Sequence, residues 1–294
     1  MLLAHDLKRA KDGVSLRGGR HRCLTSARTT DRRAAVSRAD SAWELSRLVD
    51  FGAEPLFPLL NMPFVNFGDK PADVAAKVRM AWHKKDDPII ELLGLIEDSG
   101  VVVASLPKIS REVSAFSCWF GETPIMLVDG SSHFRKNRFC VAHELGHLLM
   151  HRDVELDSRK AEREAHRFAG ALLLPEVALH GLTDPLDWVK VRSTAETYGV
   201  RSLTVLRQCS ETGALGSVAY AAAVARVSAL SWRARYPDDV PDPEQPAGLE
   251  KAAMKALESN QGESTGNRDG LAMIKGLLDS VITAPPPDIA GVNR

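Results

Sequence analysis

Two histidines four residues apart, His143 and His147, with Glu144 beside the first, constrain this chain more than any other stretch. On an α-helix, residues four apart stand one above the other with Cβ atoms about 5–6 Å apart, so both imidazoles can converge on one zinc ion about 2.0–2.1 Å from each nitrogen. Glu144 is turned about 100° from His143 and about 60° from His147, which sets its carboxylate beside such an ion, placed to take a proton from water. The stretch FRKNRFCVAHELGHLLMH is long and apolar enough for a buried helix of about four to five turns. Val141, Leu145, Leu148 and Leu149 occupy another arc and are expected to bury that helix against a sheet. An accidental H-E-x-x-H arises in only about 1–2% of chains of this composition, so two solvated surface histidines are the weaker reading.

A catalytic zinc wants a third protein ligand and one open position. The next helical stretch, SRKAEREAHRFAGALLLP, offers Glu162, Glu164 and His166. Glu162 and His166 share a face with Ala165 and Ala169, whereas Glu164 is about 200° from Glu162 and would point to solvent. Glu162 is therefore the third ligand of choice. His166, one turn on, would hydrogen-bond a ligand or be the ligand itself. His151 lies about 12 Å along the helix from His143, too far to share the ion. It reads as a helix-end histidine near the C-terminal dipole, or as lining of the cleft.

Around this centre the chain has the make-up of a folded, water-soluble protein. Of its 294 residues 44% are hydrophobic and 26% charged, which excludes a wholly disordered chain, and 38 Lys and Arg balance 38 Asp and Glu. The overall field therefore gives no reason to expect nucleic acid or an anionic membrane as a partner. Cys23, Cys118, Cys140 and Cys209 are scattered, which suggests neither a cysteine zinc site nor a disulfide framework. With no signal-like or membrane-length apolar stretch, a cytoplasmic location is expected.

Ten Lys or Arg between Lys8 and Arg38 face only Asp12 and Asp31. They form a basic arm that either contacts nucleic acid or is simply solvated, the second being preferred because no aromatic residues are interleaved. Val36, Trp43, Leu45, Leu48 and Val49 predict a core-packing helix over Ala34 to Val49. Pro55, Pro58, Pro63 and Pro71 mark a connector, with a domain boundary near residue 65. Helices are predicted to open at Pro71 and Pro88. Strands are predicted over Val101 to Leu106, Ser114 to Phe120 and Pro124 to Asp129, the last two joined by a turn at Gly121-Glu122-Thr123. Further helices are expected in DPLDWVKVRSTAETYG, RSLTVLRQCSETG and VAYAAAVARVSAL, then an acidic linker (YPDDVPDPEQPAG) and flexible stretches, SNQGESTGNRDG and APPPDIAGVNR. Ala195 to Leu206 has the spacing of a helix-turn-helix in which Arg201, Arg207 and Gln208 could face DNA, but an αα-corner packed on the core is the better reading.

RKNRFCVAHELGHLLMH (Arg135 to His151) and EREAHRFAGALLLP (Glu162 to Pro175) closely resemble the ImmA/IrrE-type zinc metallopeptidases, whose pattern is R-x-R-F-x-x-A-H-E-x-G-H followed by E-x-x-A-N-x-F-A-x-x-L-L-x-P. The resemblance implies one zinc held by His143, His147 and Glu162, with Glu144 as base; His166 stands where the family usually has Asn. It further implies a narrow regulatory protease acting on a repressor-type, DNA-binding transcription regulator in mobile-element or stress-response control. Longer relatives begin with a repressor-type helix-turn-helix, for which no room remains before the basic arm, so a form lacking it is expected.

The resulting expectation is an α+β, zincin-like metallopeptidase core, with a small sheet and an HExxH helix, over residues 66–215. It is flanked by a basic arm, helix and connector (1–65) and a helical C-terminal extension with a disordered tail (216–294). The alternative is a non-catalytic zinc-binding regulator or interaction module. An oxyanion donor is not assigned among His151, His166 and Tyr198, and oligomeric state is left open.

Overall fold

The computed structural model describes residues 29–49, 51, 68–106, 115–129, 134–152, 158–231, 247–259 and 268–282. Most of the basic arm, the proline-rich connector, the acidic linker and most of both stretches expected to be flexible lie outside the described residues. In chain order come α1 (Thr29–Leu48), α2 (Pro71–Ala81), α3 (Leu92–Asp98), β1 (Val102–Ser105), β2 (Ala115–Phe120), β3 (Thr123–Val128), α4 (Phe134–Met150) and α5 (Ser158–Leu173). A 3₁₀ turn at Glu176–Leu179 leads on to α6 (Trp188–Thr197), α7 (Ser202–Glu211), α8 (Ser217–Ser231), α9 (Gly248–Ser259) and α10 (Arg268–Ile282). This is the mixed α+β architecture expected from the sequence, with a small sheet of three strands among the described residues.

The strands lie in the order β1-β3-β2, β1 parallel and β2 antiparallel to the central β3. Phe120 pairs with Thr123, so the hairpin turn is the two residues Gly121 and Glu122. Gly121 sits at φ +59°, a conformation that primed hairpin turns require and that side chains with a Cβ resist. Successive side chains of β3 alternate between two cores. Met126 and Val128 join Val103 and Trp119 under α4, while Ile125 and Leu127 join Val102, Ala104, Phe116 and Cys118 on the opposite face. Burial on both faces explains why PIMLV reads as a continuous apolar run rather than an alternating one.

The second face of the sheet is covered by α1, α9 and α10. α1 meets it mainly through Leu45 and through Ala35, Ala39 and Ala42, a stripe of small residues that lets the helix lie close; Val36, Trp43 and Leu48 are only partly buried. Arg38, counted in the basic arm, is buried within α1 and donates to the Val281 carbonyl of α10. The Gly248 N–H at the start of α9 donates to Glu97 at the end of α3 (2.9 Å). The segments on either side of residues 66–215 thus share a core with the sheet.

Two buried arginines fix the remaining layer. Arg79 of α2 donates to the carbonyls of Lys85, Asp87 and Leu172, the last an orphan acceptor in the final turn of α5. Arg138 of α4 donates to the Ile89 and Ile90 carbonyls. Those carbonyls face Arg138 rather than a helical ladder, and the helix expected to open at Pro88 begins instead at Leu92. In α7, Val205, Leu206 and Cys209 join the main core and Gln208 is buried against Gly170, so Gln208 does not face outward as a DNA-reading residue would.

Candidate metal centre

α4 presents His143 and His147 on one face, and α5 crosses it with Glu162. His143 Nε2 and His147 Nε2 are 3.1 Å apart, His143 Nε2 lies 3.2 Å from Glu162 Oε2, and His147 Nε2 lies 3.5 Å from Glu162 Oε1. A tetrahedral ion with bonds of about 2.0–2.1 Å has ligand–ligand edges of about 3.3–3.4 Å, and the two imidazole nitrogens and the Glu162 carboxylate, which meets one nitrogen with each oxygen, stand close to that spacing. Among the described residues this His-His-Glu group is the cluster able to hold a metal ion, and its donor set suits zinc. Hydrogen bonds from His143 first, then His147, hold the Glu162 carboxyl well below the usual carboxylate range, the form a metal needs.

The close approach of the two helices depends on Gly146. A Cβ there would stand 2.8 Å from Phe168 Cδ1 and 3.3 Å from the Ala165 Cα, inside normal carbon contact distance. Leu145, Ala142 and Leu148 bury the opposite arc of α4, so the helix cannot retreat without opening the core.

Glu144 is 5% exposed, and the Ser117 hydroxyl of β2 donates to its Oε2 at 2.6 Å. Ser117 is absent from the sequence-derived site because its relevance comes only from β2 lying across α4. The neighbouring Cys118 thiol is pushed up by burial and further by the Glu144 charge, so it offers no thiolate nucleophile.

Three residues sit differently from expectation. His151 is 3% exposed and enclosed, with Nδ1 3.0 Å from His147 Nδ1 and Nε2 3.1 Å from Glu164 Oε2. Glu164 therefore turns toward the end of α4 instead of solvent, with Lys160 3.7 Å from its other oxygen. The hydrogen-bonding partner of a cluster histidine is His151 and not His166, which meets His143 edge-on (5.9 Å between ring centres) and packs on Phe139 (4.6 Å). Burial, followed by the charge of Arg207, pushes the His166 pKa down to about 4, which leaves its imidazole neutral near pH 7. The Tyr198 hydroxyl donates to the Asp86 carbonyl (3.2 Å), a commitment that removes it from the oxyanion candidates.

An α+β domain in which a strand lies across an HExxH helix, with a glutamate supplied by the following helix, defines a zincin-like fold. Residues 96–210, from the end of α3 into α7, match the family model of the IrrE N-terminal-like domain, Peptidase M78, so this stretch of the chain is a domain of the metallopeptidase type. No curated protein matches the sequence. None of the helices among the described residues is long and apolar enough to cross a membrane.

Proposed function

We propose that the chain is a zinc-dependent endopeptidase of the cytoplasm, one zinc per chain held by His143, His147 and Glu162, that cuts a peptide bond in a repressor-type transcription regulator. The observation that carries the reading is the convergence of His143 and His147, on the helix turn that carries a buried carboxylate anchored at one oxygen, with Glu162 of the crossing helix. Zinc bound there would polarise the scissile carbonyl and make an attacking water more acidic. Ser117 engages Glu144 Oε2, which leaves Oε1 to accept the proton of that water and return it to the leaving amine. Among the described residues β2 is an edge strand of the sheet, so an extended peptide could pair along it and bring its carbonyl toward α4. The repressor as substrate rests on the family resemblance alone.

Glu144→Gln tests the reading. It keeps the side-chain shape and the Ser117 contact but cannot take a proton, so cleavage should fall by about 10²–10⁴-fold with zinc content unchanged. A variant that still removes the repressor at the wild-type rate would instead favour a non-catalytic zinc-binding regulator.

A further inference from the structure

We propose that His151 and Glu164 are positioning residues for His147, forming a relay of neutral tautomers that fixes the ring on the metal side. The proposal rests on the reading of His143, His147 and Glu162 as metal donors. His147 points Nε2 at His143 and Glu162, so to offer a lone pair there it must carry its proton on Nδ1. That nitrogen is 3.0 Å from His151 Nδ1, which must then accept, placing the His151 proton on Nε2. Nε2 in turn is 3.1 Å from Glu164 Oε2, an obligate acceptor when ionised. With Nε2 of His147 given to the metal in place of its hydrogen bond to Glu162, each link has one direction of donation. The reverse direction would leave His147 protonated on Nε2 and closed to a metal.

Burial makes the relay effective. His151 has almost no contact with solvent, so water does not compete for either nitrogen. Glu164 is held from its other side by Lys160, one helical turn earlier. A metal-holding imidazole whose N–H is drawn toward a neighbour is both oriented and a better electron-pair donor, and loss of such outer partners typically lowers metal affinity about 10–100-fold.

The experiment measures zinc affinity by competition with a chromophoric chelator for the wild type, Glu164→Ala, Glu164→Gln and His151→Phe. In parallel, histidine ¹⁵N–¹H spectra of the zinc-loaded full chain assign the tautomers. Glu164 is partly exposed, so its replacement by alanine leaves the fold intact even if His151→Phe does not. Expected are a roughly tenfold or greater loss of affinity in Glu164→Ala, substantial recovery in Glu164→Gln, which keeps an acceptor oxygen, and a His151 proton on Nε2 that moves upfield in Glu164→Ala. A His151 proton on Nδ1, or wild-type affinity in Glu164→Ala, overturns the relay while wild-type zinc binding leaves the site reading standing. A wild-type chain that takes up no zinc overturns both.

Discussion

Replacing Gly146 with alanine should separate the stability of this fold from its metal site. The new Cβ would lie 2.8 and 3.2 Å from two Phe168 ring carbons and 3.3 Å from the Ala165 Cα. Carbon atoms prefer about 3.5–4.0 Å, so α5 must withdraw by roughly half an ångström, since Phe168 is fully buried and has nowhere to turn. Overpacking of this kind costs about 1–3 kcal/mol, while exchanging glycine for alanine inside a helix returns about 0.8–1 kcal/mol. The net loss is about 0–2 kcal/mol, a fall of several degrees in melting temperature at most for a chain of this size. The site is less tolerant, because metal–ligand distances hold to within about 0.2 Å and α5 carries Glu162. We therefore expect zinc affinity to drop tenfold or more in Gly146→Ala, measured by chelator competition, beside a small shift in melting temperature. Adding Phe168→Leu should restore part of the affinity. A stabilised Gly146→Ala protein with wild-type zinc affinity would refute the view that this glycine sets the distance between the two helices.

Arg79→Met removes the donor shared by three carbonyls and leaves that of Leu172 buried without it, while those of Lys85 and Asp87 can turn to water; chemical denaturation should show a loss of about 1–3 kcal/mol, whereas no measurable loss would mean that water replaces the guanidinium throughout. The Glu162 carboxyl, held low by His143 and His147, contributes stability to the metal-free protein above its unfolded pKa of about 4.3 and loses that contribution as pH falls toward its depressed value. Melting curves of metal-free wild type and Glu162→Gln should therefore be separated above about pH 4.5 and converge in stronger acid; parallel curves throughout would contradict the His–Glu hydrogen bonds.

Features set by spacing along a single element are legible in the sequence. His143 and His147 need only the period of a helix, the β2–β3 hairpin only Gly121 between two apolar runs, and Glu162 only the face it shares with Ala165 and Ala169. Features that depend on how elements cross are not. Glu164 looks solvent-facing on an isolated helix, and only the end of α4 lying beside it supplies His151 as partner. The signal that could have found this pair is the further histidine one turn beyond His147, on the ligand face. Ser117 carries no local sign at all, being one polar residue in a buried strand whose hydroxyl acquires a role from Glu144 across the layer. Ile274, Leu278 and Val281 stand at helical spacing, but nothing in that spacing names the second sheet face as their partner. α1 is recognisable as a helix through its larger residues, although its alanines make the contact, since small side chains carry little apolar signal and permit close packing.

His143, His147 and Glu162 are expected to hold one zinc together. Elemental analysis of the chain purified without chelator, wild type beside Glu162→Ala and His166→Ala, tests it most directly. Close to one zinc per wild-type chain is expected, lost in Glu162→Ala and largely kept in His166→Ala. Wild-type protein without stoichiometric metal, or zinc retained in Glu162→Ala and lost in His166→Ala, would contradict it.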